Sequence, residues 1–233
     1  MRTCCDTQKT VNRTERLAAL ERARLYFVCD GRPKGGDPTP LLQAAMRGGA
    51  EIIQLREKAP RCAEELISLA EPFRRVAAEH GGLFILNDRP DLVEACGADG
   101  AHVGQDDLPV AEARAAAGPG ALIGLSTHSI DQVDAACSAA GADRPDQISV
   151  GPVWETPTKE GRPAAGIGLV GHAARVATLP WFAIGGIATD NVTQVVAAGA
   201  SRVVVVRAIR DAADPEGAAA ALRAELGAEA GVR

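Results

Sequence analysis

From Leu25 onward, short apolar runs rich in β-branched residues alternate with longer segments of Ala, Leu, Arg and Glu. The runs are Leu25 to Cys29, Glu51 to Arg56, Leu83 to Leu86, Gly100 to Val103, Leu122 to Leu125, Gln147 to Val150, Trp181 to Ile184 and Arg202 to Val206. Most are nearly continuously apolar, the pattern of strands buried on both faces in a parallel sheet. Helix-like stretches follow them: Pro40 to Arg47, Ala63 to Glu79, Pro90 to Ala95, Pro109 to Ala116, Ser129 to Ala139, Leu169 to Thr178, Asp190 to Ala198 and Pro215 to Leu226. The rhythm is that of successive βα units.

Helix boundaries carry their own signals. Ser129 and Thr189 are placed to accept the first free amides of their helices, and Pro40, Pro90, Pro109 and Pro215 stand where a missing N–H costs least. Gly48, Gly81, Gly97, Gly118, Gly141 and Gly199 follow helices at positions suited to left-handed C-terminal caps. The segments Cys96-Gly97-Ala98-Asp99, Ala140-Gly141-Ala142-Asp143 and Ala198-Gly199-Ala200-Ser201 repeat one turn from helix to strand.

Eight strand–helix units predict an α/β fold, a single (β/α)8 TIM barrel over residues 25–226. Residues 1–24 form an N-terminal extension with one helix over Thr14 to Arg24, and 227–233 a loose tail. An open doubly wound sheet is the competing architecture. It loses its best support because Gly31, Gly35 and Gly36 after the first strand do not have dinucleotide-binding spacing.

Composition narrows the function. The 233 residues carry a formal charge of −5, which gives no general attraction to nucleic acid or to an anionic membrane. Cys4, Cys5, Cys29, Cys62, Cys96 and Cys137 contain no C-x-x-C pair and no Cys/His spacing for zinc. Cys4 and Cys5 read as incidental to a frayed terminus, and the cysteines as reduced thiols. The polar leader lacks the apolar core of a secretory signal, and no run is long and apolar enough to span a bilayer, so a cytoplasmic protein is expected. The sequence leaves oligomeric state open, a homo-oligomer included.

Barrel chemistry gathers where strands end. The second run exits through Gln54-Leu55-Arg56-Glu57-Lys58, whose alternate residues Gln54, Arg56 and Lys58 share a side and offer one amide and two cations for polyphosphate. A solvated charged loop is the plainer alternative. Asn87-Asp88-Arg89 and Gly104-Gln105-Asp106-Asp107 end the third and fourth runs, and Asp88 and Asp107 are candidates for a hard divalent ion, although an aspartate after a strand often only caps a helix. Ser126 offers a substrate hydrogen bond; His128 beside it fits structure or catalysis equally. His102 reads as a satisfied core histidine. His80, His102, His128 and His172 compose no triad, and there is no G-x-S-x-G elbow.

After the sixth run, Gly151-Pro152-Val153-Trp154-Glu155-Thr156-Pro157-Thr158-Lys159 sets two hydroxyls beside an ammonium, an anion clamp or simply a turn. Ile184-Gly185-Gly186-Ile187 and Val206-Arg207-Ala208-Ile209 stand after the seventh and eighth runs, where barrels hold phosphate monoesters. Two anion sites at one mouth imply two substrates. If one carries a diphosphate, that group leaves, with Mg²⁺, Arg56 and Lys159 stabilising its charge.

These motifs, in this order from about Leu25 to Pro215, resemble the thiamine-phosphate synthase family, transferases on a TIM barrel. The resemblance implies that Gln54, Leu55, Arg56, Glu57, Lys58 and Asn87 bind hydroxymethylpyrimidine diphosphate. Asp88 and Asp107 would ligate Mg²⁺, and Ser126 and Lys159 would touch the pyrimidine. Thr156, Pro157 and Thr158 would face the thiazole phosphate, with Gly185, Gly186, Val206 and Arg207 completing its nest. Pyrophosphate loss gives a pyrimidinylmethyl cation that the thiazole nitrogen captures, with Arg56, Ser126 and Lys159 as the catalytic group. Arg207 departs from the serine of many members. Rival readings on the same barrel are a thiazole tautomerase and a non-catalytic thiazole-phosphate sensor; neither needs the diphosphate grip and carboxylate pair together.

Overall fold

The computed structural model describes residues 12–57, 61–156 and 163–227. Eight parallel strands close into a barrel in sequence order: β1 (Leu25–Cys29), β2 (Ile52–Leu55), β3 (Leu83–Asn87), β4 (Gly100–Val103), β5 (Leu122–Thr127), β6 (Gln147–Val150), β7 (Trp181–Ile184) and β8 (Val203–Val205). β8 returns to β1 with Leu25 opposite Val203 and Phe27 opposite Val205. The expected barrel is therefore present.

Alternation along each strand divides the apolar core into two layers. Tyr26, Val28, Ile52, Leu83, Ile85, Leu122, Phe182 and Val204 fill the barrel, where Tyr26 and Phe182 meet edge to face at 5.6 Å. Leu25, Phe27, Ile53, Leu55, Phe84 and Leu86 pack outward against the helices. Because both faces are covered, most strands read in the sequence as nearly continuous apolar runs.

The first helix, α1 (Arg13–Arg22), lies in the extension and closes the lower end of the barrel. Asn12 and Glu15 form its capping box, and Leu20 with Ala23 enters the inner core. Arg16 Nε reaches Asp99 Oδ1 at 2.8 Å, while Arg16 Nη1 donates to the Gly120 carbonyl. Three carboxylates just before β2, β4 and β6 occupy open strand amides there. Glu51 accepts from Arg24 and Leu25, Asp99 from Phe84, and Asp146 from Ile123.

The outer helices are α2 (Thr39–Arg47), α3 (Ala63–His80), α4 (Val93–Cys96), α5 (Val110–Ala117), α6 (Ile130–Ser138), α7 (Gly166–Val176), α8 (Val192–Ala197), α9 (Arg207–Arg210) and α10 (Pro215–Glu225). Several expectations need correction. The stretch from Pro90 splits into a 3-10 turn, Pro90–Leu92, followed by α4. Gly48 has φ −74°, and the positive φ falls on Gly49 at +100°, because the left-handed residue comes one position later. Gly141 opens a 3-10 turn after Ser138 has ended α6, so Ala140-Gly141-Ala142-Asp143 does not lead directly into its strand as the other two copies do, and β6 begins only at Gln147. Asn191, not Thr189, stands at the N-cap position before α8, and its Oδ1 accepts from the Ala188 amide in the loop. Ser129 does cap α6, accepting from Gln132.

Candidate active site

A pocket of about 390 Å³ opens at the carboxyl ends of the strands. On the β2 side, Gln54 is buried and donates from Nε2 to Tyr26 Oη at 3.0 Å, so the amide is braced from β1. Burial pushes the Tyr26 hydroxyl well above its ordinary value, which keeps it a neutral acceptor for that amide. Arg56 follows two residues later; its amide is tied to the Cys29 carbonyl and its side chain lines the pocket. Leu55 packs in the outer layer, and Glu57 Oε1 accepts from Gly31 while Oε2 meets Arg61. Neither is among the described lining residues. Lys58 lies outside the described residues.

Asn87, at the end of β3, lines the pocket. Asp88 has φ +58°, and its amide donates to the carbonyl of His102 on β4. Asparagine and aspartate tolerate this left-handed conformation better than most residues. Asp107 Oδ2 accepts from the Gly104 amide at 2.7 Å, closing the loop after β4. Arg89 turns to Asp91 in a two-pronged pair at 2.8 and 2.9 Å, which holds the Asp91 carboxyl below its usual range.

Ser126 and His128, near and just past the end of β5, both line the pocket. The ring of His128 donates from Nδ1 to the Gly151 carbonyl, and its amide donates to Gln132. That geometry ties β5 to the loop after β6, the structural half of the two roles the sequence left open. His102 is buried between Ser126, Ser149 and Gln147, as expected of a satisfied interior histidine. It also forms part of the pocket wall.

The loop after β6 brings Thr156 to the pocket; Pro157, Thr158 and Lys159 lie outside the described residues. Gly185 and Gly186 line the facing wall with φ +106° and +71°. A Cβ at Gly185 would stand 2.4 Å from Pro152 Cα, so glycine lets the β6 and β7 loops pass in contact. Asn191 clamps this turn: Oδ1 takes the Ala188 amide and Nδ2 donates to the Gly186 carbonyl, each at 2.9 Å. The sequence reading missed Asn191 in this role, although an asparagine side chain bonding backbone three residues before it is a known local pattern.

Val206 and Arg207 complete the wall beside β8, and Arg207 begins α9. Asp211, also lining the pocket, had no signal in the sequence. Its carboxyl is held low, first by the hydrogen bonds from Arg210 at 2.9 and 3.0 Å. Arg210 also stands 3.8 Å from Asp30, linking the mouths of β8 and β1.

A closed (β/α)8 barrel with a strand-end pocket, cationic on β2 and glycine-lined on β7, defines a barrel enzyme suited to phosphorylated small molecules. The family model for thiamine monophosphate synthase matches residues 25–209. The chain belongs to that family and is a transferase. It is 50% identical over 214 residues to the thiamine-phosphate synthase of Acidothermus cellulolyticus, covering 91% of this chain and 99% of the relative. It is likewise 50% identical over 215 residues to that of Thermobifida fusca, covering 91% and 95%. Among solved structures, thiamine phosphate pyrophosphorylase from Pyrococcus furiosus superposes with a TM-score of 0.79 at 28% identity, covering 89% of this chain and 96% of that one. A 3-hexulose-6-phosphate synthase, at TM-score 0.62 and 20% identity, shares the fold alone.

Proposed function

We propose that this chain condenses 4-amino-2-methyl-5-(diphosphooxymethyl)pyrimidine with a hydroxyethylthiazole phosphate, plain or carboxylated, to give thiamine phosphate and pyrophosphate. The observation that carries the reading is one pocket with Arg56 on the β2 side and the Gly185–Gly186 turn on β7, three strands away around the ring. One side suits a diphosphate leaving group and the other a monophosphate handle.

In the reaction the bond from the pyrimidine methylene carbon to the diphosphate oxygen breaks, and the oxygen leaves with the electron pair. The lone pair of the thiazole nitrogen then forms the new C–N bond. Arg56 and Lys159 meet the negative charge that develops on the departing group, where fixed charges act most strongly. Gln54, Asn87 and Ser126 hold the pyrimidine, and Thr156, Thr158, Gly186 and Arg207 hold the thiazole phosphate. Orientation of the two substrates supplies much of the rate, since the capture needs no acid–base residue.

Asp88 and Asp107 would hold Mg²⁺. They stand after neighbouring strands β3 and β4 and offer hard oxygen donors. Among the described residues no group of three or more His, Cys, Asp or Glu could hold a metal, and two carboxylates suit an ion whose remaining ligands are water and substrate phosphate. When bound, the ion neutralises charge on the leaving diphosphate. The test is to incubate purified protein with both phosphorylated substrates and Mg²⁺. Thiamine phosphate and pyrophosphate are expected in equal amounts; saturating substrates that yield neither would overturn the proposal.

A further inference from the structure

Beneath the pocket, the barrel interior contains a polar cluster. His102 Nε2 lies 3.0 Å from Ser126 Oγ and 3.3 Å from Ser149 Oγ, and its Nδ1 lies 3.0 Å from Gln147 Nε2. Gln147 is 4% exposed, and its Oε1 has no hydrogen-bond partner among the described residues. Room for this pair comes from β5, because a Cβ on Gly124 would stand 2.1 Å from Gln147 Nε2 and 2.5 Å from His102 Nδ1.

An amide can face an imidazole nitrogen in two ways. With Nε2 toward Nδ1, the amide donates, the ring carries its proton on Nε2, and one carbonyl oxygen stays unpaired. With Oε1 toward Nδ1, the ring donates and two amide N–H groups are buried without an acceptor. Unpaired buried donors are rarer than unpaired carbonyl oxygens, so the accounting favours the first arrangement, which is the one observed. The Nε2–H then donates to Ser126 Oγ, the nearer hydroxyl, and Ser149 Oγ adds a longer approach to the same oxygen at 3.5 Å. A serine oxygen has two lone pairs and one proton. With the lone pairs engaged from below, the Ser126 proton turns to the pocket that Ser126 lines.

We propose that Gln147 is a positioning residue. By donating to Nδ1 it fixes His102 as the Nε2–H tautomer, and through His102 it makes the Ser126 hydroxyl a donor to the substrate. At that point the pocket accepts a ring nitrogen with a lone pair and disfavours an amino group. The inference rests on the functional reading above in taking Ser126 as a pyrimidine contact.

The tautomer can be read without turnover, by ¹⁵N NMR of histidine-labelled full-length protein, with His102→Gln assigning the resonance. A neutral ring protonated on Nε2 is expected; a ring protonated on Nδ1 overturns the assignment. Gln147→Glu presents an acceptor to Nδ1, and Gln147→Met removes the donor at similar volume. Where either variant moves the proton off Nε2, the KM for the pyrimidine diphosphate should rise about tenfold, the size expected of one mismatched hydrogen bond, while the KM for the thiazole phosphate stays unchanged. A ring still protonated on Nε2 in both variants overturns the role given to Gln147; where the proton moves, a raised pyrimidine KM supports the coupling and an unchanged one overturns it. Absence of product from the unaltered protein would sink the functional reading while leaving the NMR result intact.

Discussion

Asp146 Oδ1 lies 2.6 Å from Arg13 Nη2, pinning the first helix to the segment that enters β6. The same carboxylate meets Arg114 Nη1 at 3.1 Å and accepts the Ile123 amide at 2.7 Å, with 8% of its side chain exposed. Asp146→Ala therefore deprives an amide of its acceptor and leaves two guanidiniums with carbonyl partners only, at a cost of roughly 2–4 kcal/mol. Arg13 is 32% exposed, and Arg13→Ala should cost roughly 1 kcal/mol because solvent screens the pair. Urea unfolding should rank the midpoints with Asp146→Ala lowest and the unaltered protein highest. Equal midpoints for those two would remove Asp146 from the barrel floor.

The aspartates proposed for Mg²⁺ can be separated from their structural duties. Asp88→Asn keeps a residue tolerant of φ +58°, whereas Asp88→Val adds backbone strain of about 1–2 kcal/mol. Asp107→Asn retains an oxygen for the Gly104 amide but loses the charge. Both asparagine variants should unfold close to the unaltered protein while losing Mg²⁺-dependent turnover by at least about a hundredfold, as loss of an essential ion ligand implies. Full activity with raised Mg²⁺ demand would instead limit the aspartate to ion affinity; unchanged activity at every Mg²⁺ concentration would exclude it from the site.

The strand ends were legible because parallel strands are covered on both faces: β1, β4, β6 and β7 begin and end where their apolar runs do. Pocket residues at the ends of β2, β3, β5 and β7 followed from the fold, since Gln54, Asn87, Ser126 and Gly185 all reach one cavity. What stayed hidden depended on long-range partners. Gln147 reads as the first residue of a strand, and its bond to His102 joins residues 45 apart in sequence. α9 is four residues long, too short for helical periodicity to interrupt the run ending at Val206. Thr189, Asp190 and Asn191 are all common at helix starts, and only the fold places Asn191 at the N-cap position, its side chain turned back to the loop.

The glycine turn after β7 yields a prediction about affinity. Gly186 has φ +71°, and a Cβ there would stand 2.9 Å from Trp154 Cβ. Gly186→Ala should disturb the pocket wall with a local strain of about 1–2 kcal/mol. Asn191→Ala releases the same turn from the other side, by removing bonds to Ala188 and Gly186. Each variant should raise the KM for the thiazole phosphate by about tenfold and leave the pyrimidine KM near its starting value, as one binding contact rather than a transition-state contact is lost. Parallel rises in both constants would place the turn outside the monophosphate site.

Buried thiols set an alkaline limit on the fold. Cys29, at the end of β1, is pushed from an ordinary 9.0 up to about 12, chiefly by burial, with Asp30 and Glu57 adding and Arg210 opposing. Burial likewise lifts Cys96 to about 11. Below pH 9 the thiols are protonated in both states; above it the unfolded chain releases protons that the folded chain retains, so stability falls as pH rises toward the folded values. Cys29→Ala should show a shallower loss of urea midpoint between about pH 8 and about pH 10.5 than the unaltered protein, whatever its starting stability. The same burial protects Cys29 and Cys96 from alkylation at neutral pH, while the exposed Cys62 should be modified in the folded state. An identical alkaline slope in Cys29→Ala would mean that another group controls the decline, because removing this thiol removes its proton from the difference between the two states.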